Sequence, residues 1–299
     1  MADSRQRVYL VDASIYIFRA YYSVPATLTN SAGQPINALH GFAGFLGDFL
    51  EAVRPQHLAV VFDESLTTSF RNTIFPDYKA NRETPPAELQ QQFGYCRRLV
   101  RSLGLADYSS DRYEADDLIG TLAARLRAQG CSVVILSADK DLAQLLEEGD
   151  MLWDYARNRQ HHYRDIPAWL GVTAQQVADW LALTGDAVDN IPGVPGIGAK
   201  TAAALLAEFG TLDAIYQRLE EVAATQIRGA ARIQRLLQEH RTQALLAREL
   251  TGIAIDPGLQ AGMEDIVRRP VPATAVTAVC EELGLGRMTQ ARLARTATL

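Results

Sequence analysis

Through the first half of the chain, short apolar runs alternate with stretches whose apolar residues recur every three or four positions. The runs 8–11, 58–62 and 132–137 read as buried strands, and the periodic stretches 37–53, 87–103 and 114–129 read as helices. Strands that alternate with helices predict an α/β fold, a mostly parallel sheet flanked by helices. From about Thr173 the pattern becomes helical. Pro192, Pro195 and four glycines between 185 and 198 mark the junction. Three regions follow: a sheet-bearing core over 1–172, a smaller helical unit over 173–255, and a tail over 256–299 expected to pack back on the core. The tail opens with Asp256-Pro257-Gly258 and closes with a helical pattern from Ala273 to Leu283. No internal repeat or low-complexity segment stands out.

Between residues 64 and 86 the rhythm breaks. This stretch is polar and basic, with Arg71, Lys79 and Arg82 beside Phe70, Phe75 and Tyr78. Long aperiodic insertions are usually functional loops. Cations interleaved with aromatic faces are suited to gripping single-stranded nucleic acid, although a solvated basic loop has the same composition.

Asp12, Asp63 and Asp139 each stand just after an apolar strand run. Acids are costly inside a sheet but well placed where parallel strands emerge at their carboxyl ends, the edge at which open α/β sheets bind ligands. Asp141 follows Asp139 closely, Glu114, Asp116 and Asp117 open the next helix, and Asp186 and Asp189 lie at the junction. Acids at one helix start are explained equally well by the helix dipole, but that does not account for the repetition after several strands. Nine carboxylates in one place would repel one another and raise their pKa values unless hard divalent cations neutralised them. The expected cofactor is Mg²⁺, with Mn²⁺ as substitute, at a site for two ions.

The balance of 29 basic against 35 acidic residues gives a net charge of −6, which at first argues against a nucleic-acid partner. Setting the nine clustered acids aside leaves 26 against 29, and the sign reverses. Three cysteines without metal-ligand spacing exclude a fully paired disulfide framework and suit a reducing compartment. No apolar run reaches membrane-spanning length, and Asp12 interrupts the first one too early for a signal peptide. A cytoplasmic protein without a membrane partner is expected.

Gly193-Val194-Pro195-Gly196-Ile197-Gly198-Ala199-Lys200-Thr201 sits between two helical patterns. Its glycines let backbone N–H groups approach a phosphate at the start of the helix expected over 201–209. The spacing is not that of a nucleotide-binding P-loop, and no strand precedes it. His161 and His162 lack a helical metal-ligand partner and read as surface or strand-edge residues. No Ser/His/Asp or Cys/His set suggests a covalent nucleophile.

In this order the motifs resemble those of the 5′-nuclease, or flap endonuclease, family, which includes the 5′-3′ exonuclease domain of bacterial DNA polymerase I. The matching segments are Leu10-Val11-Asp12, Val60-Val61-Phe62-Asp63, Phe70-Arg71, Tyr78-Lys79-Ala80-Asn81-Arg82, Tyr113-Glu114-Ala115-Asp116-Asp117, Ala138-Asp139-Lys140-Asp141 and Leu183-Thr184-Gly185-Asp186 through Gly198. The resemblance implies a PIN-like nuclease core, an arch or clamp at 64–86, and a helix-three-turn-helix module that grips duplex DNA. It assigns Asp12, Asp63, Glu114, Asp116, Asp117 and Asp139 to the tighter metal and Asp141, Asp186 and Asp189 to the second. It makes Tyr78, Lys79 and Arg82 catalytic arch residues, gives DNA contacts to Arg71, Gly193, Gly196, Gly198, Lys200 and Thr201, and implies K⁺ at the hairpin. Ala13 departs from the family's usual glycine without removing a ligand.

The expected activity is structure-specific 5′-3′ exonuclease and flap cleavage of branched or 5′-ended DNA by a stand-alone monomer without polymerase activity. A non-catalytic branched-DNA binder is the competing reading, with an RNA-cleaving nuclease behind it. The intact Asp186/Asp189 pair favours an enzyme over a binder.

Overall fold

The computed structural model describes residues 5–64 and 69–298. Six strands form one sheet: β1 (Gln6–Asp12), β2 (Leu58–Val61), β3 (Ala106–Tyr108), β4 (Cys131–Leu136), β5 (Met151–Asp154) and β6 (Arg159–His162). Their order is β3-β2-β1-β4-β5-β6, with β1 to β5 parallel and β6 antiparallel on the edge. The chain steps outward from β1 to β3, then returns to the other side of β1 as β4. At that reversal neighbouring connections depart in opposite directions and leave a crevice at the carboxyl ends of the strands. Asp12 ends β1 there.

Residues of the central strands alternate between two apolar layers, as the pleat requires. Val8, Leu10, Val61, Val133 and Ile135 join the helix Ala115–Ala128 and the helical module. Tyr9, Val11, Leu58, Val60, Val134 and Leu136 face the helices Ala13–Ser23, Asn37–Val53 and Ala87–Ser102. The helix Asn37–Val53 forms because Leu39, Phe42, Leu46, Phe49 and Leu50 recur on one side, where all five are fully buried. Each such side chain contributes about 1.5–3 kcal/mol by leaving water. Tail helices Ala273–Glu282 and Arg287–Ala297 extend the second layer through Val276, Cys280, Leu283 and Leu293. Cys96, Cys131 and Cys280 are buried and unpaired.

The mostly parallel sheet, its flanking helices and the helical module match the expected fold class. The helix Ala13–Ser23, strands β3, β5 and β6, and the last helix were not legible. Helix 13–23 starts directly after β1 with no intervening turn signal, Asp12 serving as its N-cap. Only three residues, Ala106-Asp107-Tyr108, make β3. His161 and His162 lie on the edge strand β6, where His161 stacks on Trp169 at 3.7 Å.

The helical module contains Val177–Thr184, Ala199–Phe209, Leu212–Gln217, Ala230–Glu239 and Arg241–Thr251. Its entry loop is closed by a backbone crossing of Gly185 over Gly193. A Cβ on Gly193 would lie 2.2 Å from the Gly185 nitrogen, and Gly185 itself has φ +76°. Only glycine fits both constraints. Asp186 and Ile191 exchange two backbone hydrogen bonds beside the crossing, which fixes the loop carrying Asp186 and Asp189.

Candidate active site

The carboxylates at the strand exits are held by hydrogen bonds from neighbouring segments. Asp12 accepts from Ser137 Oγ at 2.7 Å, so the ends of β1 and β4 are tied across the reversal. Asp63, just beyond β2, accepts from Ser14 Oγ at 2.7 Å and from the Ala115 N–H at 2.8 Å. Asp139 caps the short 3₁₀ turn Lys140–Leu145 by accepting from the Asp141 N–H. Asp116, in the first turn of helix Ala115–Ala128, accepts no hydrogen bond among the described residues.

Burial and mutual repulsion leave these acids reluctant to ionise. Asp12 is pushed up to about 7, by burial first and then by Asp63 and Asp139. Burial, Asp139, Asp12 and Asp63 hold Asp116 well above the carboxylate range. Asp139 is raised by burial, with Asp189 and Asp186 adding to the effect. Asp141 reaches about 7 through burial and Asp139. Thus the acids expected at two metals share one electrostatic environment, with Asp139 linking the groups. Among the described residues no three His, Cys, Asp or Glu side chains converge at ion-ligating spacing. The donors are carboxylate oxygens, which fit Mg²⁺ or Mn²⁺ and offer no soft ligand for other metals.

The second group faces cations of the chain itself. Lys140 Nζ stands 3.1 Å from Asp141 and 3.9 Å from Asp186. Arg82 pairs with Asp189, and Lys79 lies between Glu114, which it contacts, and Asp189 at 3.7 Å. The loop bearing Lys79 is docked on the Asp186–Asn190 loop. Lys79 N–H donates to Asp189 O, Asn81 Nδ2 to Ala187 O, and Asn190 Nδ2 to Asp77 O. Lys79 adopts φ +56°, a conformation that a non-glycine residue rarely takes without such anchoring.

Several sequence expectations are corrected. Asp117 is fully buried and accepts from both terminal nitrogens of Arg71 at 2.7 Å, from Glu114 N–H and from Ala254 N–H. Its oxygens are committed within the protein, so it anchors structure and is not available to an ion. Arg71 is only 3% exposed and also donates to the Leu250 and Gly252 carbonyls, which removes it from any DNA surface. Tyr78 is 4% exposed, its hydroxyl 2.9 Å from Glu114 and 3.2 Å from Asp189. Its hydroxyl is thus engaged with those acids and the side chain is buried. Glu114 accepts from Lys79, Tyr78 and Arg71, and although burial opposes ionisation, Lys79 and Arg71 hold it below the usual range. Gly193 serves the backbone crossing, its carbonyl accepting from Gln243. Within the stretch expected to form an arch, the described residues 69–86 hold a five-residue helix, Phe70–Ile74, followed by turns and the docked loop. Residues 65–68 of that expectation lie outside the described residues.

Gly196, Gly198 and Lys200 are exposed, Thr201 is half-buried, and all four lie at the start of helix Ala199–Phe209. Gly198 is the N-cap and brings no side-chain acceptor, so the first N–H groups of the helix point to solvent. Trp180 Nε1 donates to the Ala199 carbonyl and holds this end in place. The sequence reading missed Ser14 and Ser137, whose partners are distant in sequence, and Lys140, which was visible between Asp139 and Asp141.

Residues 7–170 match the family of the 5′-3′ exonuclease, N-terminal resolvase-like domain, and residues 172–274 that of the 5′-3′ exonuclease, C-terminal SAM fold. DNA polymerase I of Rhizobium leguminosarum is 39% identical over 88% of this chain and 26% of its own length. A 5′-3′ exonuclease of Buchnera aphidicola is 33% identical over 87% of this chain and 91% of its own length. The chain spans about a quarter to a third of the DNA polymerase I relatives it matches. Among solved structures, a bacteriophage T5 flap endonuclease in a complex with DNA and metal ions superposes with TM-score 0.63 and 19% identity, covering 97% of each chain, a likeness of fold. With both halves matched in order over nearly its whole length, the chain belongs to the 5′-3′ exonuclease family.

Proposed function

We propose that the protein is a divalent-metal-dependent 5′ nuclease that hydrolyses DNA phosphodiester bonds at 5′ ends and at the base of 5′ flaps, leaving 5′-phosphates. The observation that carries this reading is the gathering of Asp12, Asp63, Asp116 and Asp139 at the sheet's reversal point, where burial and mutual repulsion raise Asp12, Asp116 and Asp139. Uncompensated charge of that kind calls for a counter-charge from outside the chain. The four acids would hold one ion, and Asp141, Asp186 and Asp189 a second. Bound divalent ions would supply activation of the attacking water and neutralisation of the leaving oxygen.

The side chains divide the remaining work. Ser137 and Ser14 orient Asp12 and Asp63. Burial opposes the charge on Lys79, but Glu114 and Asp189 keep its ammonium protonated, so it stabilises phosphate charge and does not remove a proton. Arg82 offers a second cation beside it. Backbone N–H groups at Gly196 and Gly198, with Lys200 and Thr201, receive the duplex backbone at a helix N-terminus, and hairpin carbonyls are the expected seat of K⁺. Relatives that are DNA polymerases, and a T5 neighbour solved with DNA and metal ions, support a DNA substrate. A monomer fits this reading.

Cleavage of 5′-labelled flap DNA in Mg²⁺ and in EDTA, with Asp116→Asn and Asp186→Asn alongside, tests the proposal. Metal-dependent cuts near the junction that vanish in both variants are expected. Tight flap binding with no cut in any divalent ion would replace the nuclease with a branched-DNA binding protein.

A further inference from the structure

The helix Ala230–Glu239 turns Ala230, Ile233 and Leu237 into the module's core and leaves its other side to solvent. On that side Arg232 and Arg235 lie about one turn apart on the exposed face, and Arg228 stands in the turn that leads into the helix through Gly229, whose φ is +79°. All three are exposed, and among the described residues none has an ion pair or a hydrogen-bond acceptor for its guanidinium. Some exposed arginines elsewhere are ion-paired, as Arg98 with Glu282, Arg164 with Glu148 and Arg295 with Glu51, while others such as Arg54 and Arg287 stand singly, without an ion pair among the described residues. A chain of net charge −6 thus keeps three unpaired positive groups within eight residues.

This helix adjoins the glycine hairpin. A Cβ on Gly196, which has φ +85°, would lie 3.1 Å from Arg232 Nη2 and 3.2 Å from Leu236 Cδ1, so the helix packs directly against the hairpin's exposed apex. Lys200 stands four residues beyond Gly196, exposed and likewise without an acid partner among the described residues. Arg232 therefore meets the hairpin apex directly, and Arg228, Arg235 and Lys200 flank that contact in the chain.

Building on the DNA substrate proposed above, we infer that Arg228, Arg232 and Arg235 form a second backbone clamp, which takes duplex phosphates next to those held at the hairpin. The clamp carries no base recognition, because guanidinium contacts to phosphate fix position and not sequence. Its contribution is to binding, not to the chemical step: it lengthens the duplex footprint on the helical module.

The test is the variant R228Q/R232Q/R235Q, built on exposed positions so that its thermal melt should match the parent. Binding is read in the Asp116→Asn background, which separates it from turnover, using a flap with a long duplex arm and a single-stranded oligonucleotide of equal length. The expected result is at least about tenfold weaker flap binding at moderate salt, with the slope of log Kd against log salt reduced by about 0.9 for each phosphate that is no longer neutralised. Single-strand binding should be unchanged, and in the catalytically intact protein KM should rise while kcat holds. An unchanged salt slope on the flap would overturn the clamp, as would an equal loss on single-stranded DNA. A protein that binds the flap with the expected slope but never cuts it would refute the nuclease proposal and leave the clamp standing. One that binds no DNA would refute both.

Discussion

Asp116 and Asp117 are neighbours in one helical turn, yet they sit in opposite electrostatic surroundings. Asp117 is enclosed with Arg71, Glu114 N–H and Ala254 N–H, its charge answered on every side. Asp116 faces Asp139, Asp12 and Asp63, and burial first, then their repulsion, drives its pKa well upward. The compensated side ties the core to the end of helix Arg241–Thr251 through the Leu250 and Gly252 carbonyls. On the other side Asp116 has no ion pair and accepts no hydrogen bond among the described residues. A helix start rich in acids therefore does not define a metal site by itself, since adjacent positions meet opposite surroundings.

The comparison breaks most decisively at activity. Asp116→Asn should reduce flap cleavage by more than about a hundredfold, beyond what removing a supporting hydrogen bond costs a metal site. Single-turnover cleavage measures it, and near-normal rates would remove Asp116 from the metal centre. Stability should respond in the opposite way at the two neighbours. Asp117→Asn takes from buried Arg71 its bidentate carboxylate and leaves only Glu114 beside it, and should destabilise by up to about 3–5 kcal/mol. Asp116→Asn relieves repulsion and should raise the melting temperature in EDTA. Equal shifts in the two melts would show that both acids share one environment.

The pH dependence sharpens the same contrast more gently. Asp12 stands at about 7 in the folded protein against 3.8 in the unfolded chain, so the fold binds its proton more tightly. Its stabilising effect is complete below about pH 4 and is lost as pH rises through 7. In EDTA, the melting temperature of Asp12→Asn should therefore gain on the parent between pH 5 and pH 8, and Mg²⁺ should protect the parent most at the upper end. A gap that stays constant with pH would show that Asp12 titrates normally. The smallest effect belongs to a solvated pair far from the site. Arg98→Gln, which removes the exposed ion pair with Glu282, should cost under about 1 kcal/mol in a denaturant titration.

How far the site could be read from the sequence depended on how local each signal was. Asp12, Asp63 and Asp139 were legible because each follows its own apolar run, and buried parallel strands put such residues at one edge. Helix Asn37–Val53 matched its periodic stretch to the residue. Strand β3 was not legible, since three mixed residues pair only because β2 already lies beside them. The basic insertion misled for the same reason. Arg71 and Tyr78 have the composition of a nucleic-acid grip, but nothing local discloses that Asp117 and Glu114, more than thirty residues away, draw them inside.

The sequence by itself determined the alternating architecture, the set of acids and the glycine junction, because periodicity, strand-exit position and backbone freedom are properties of short segments. Only the tertiary structure decided which acids remain uncompensated, which cations are withdrawn into the core, and which arginines stay unpaired beside the hairpin. Those outcomes depend on charges brought together from remote parts of the chain, and the energy of a charge is set by what surrounds it in space.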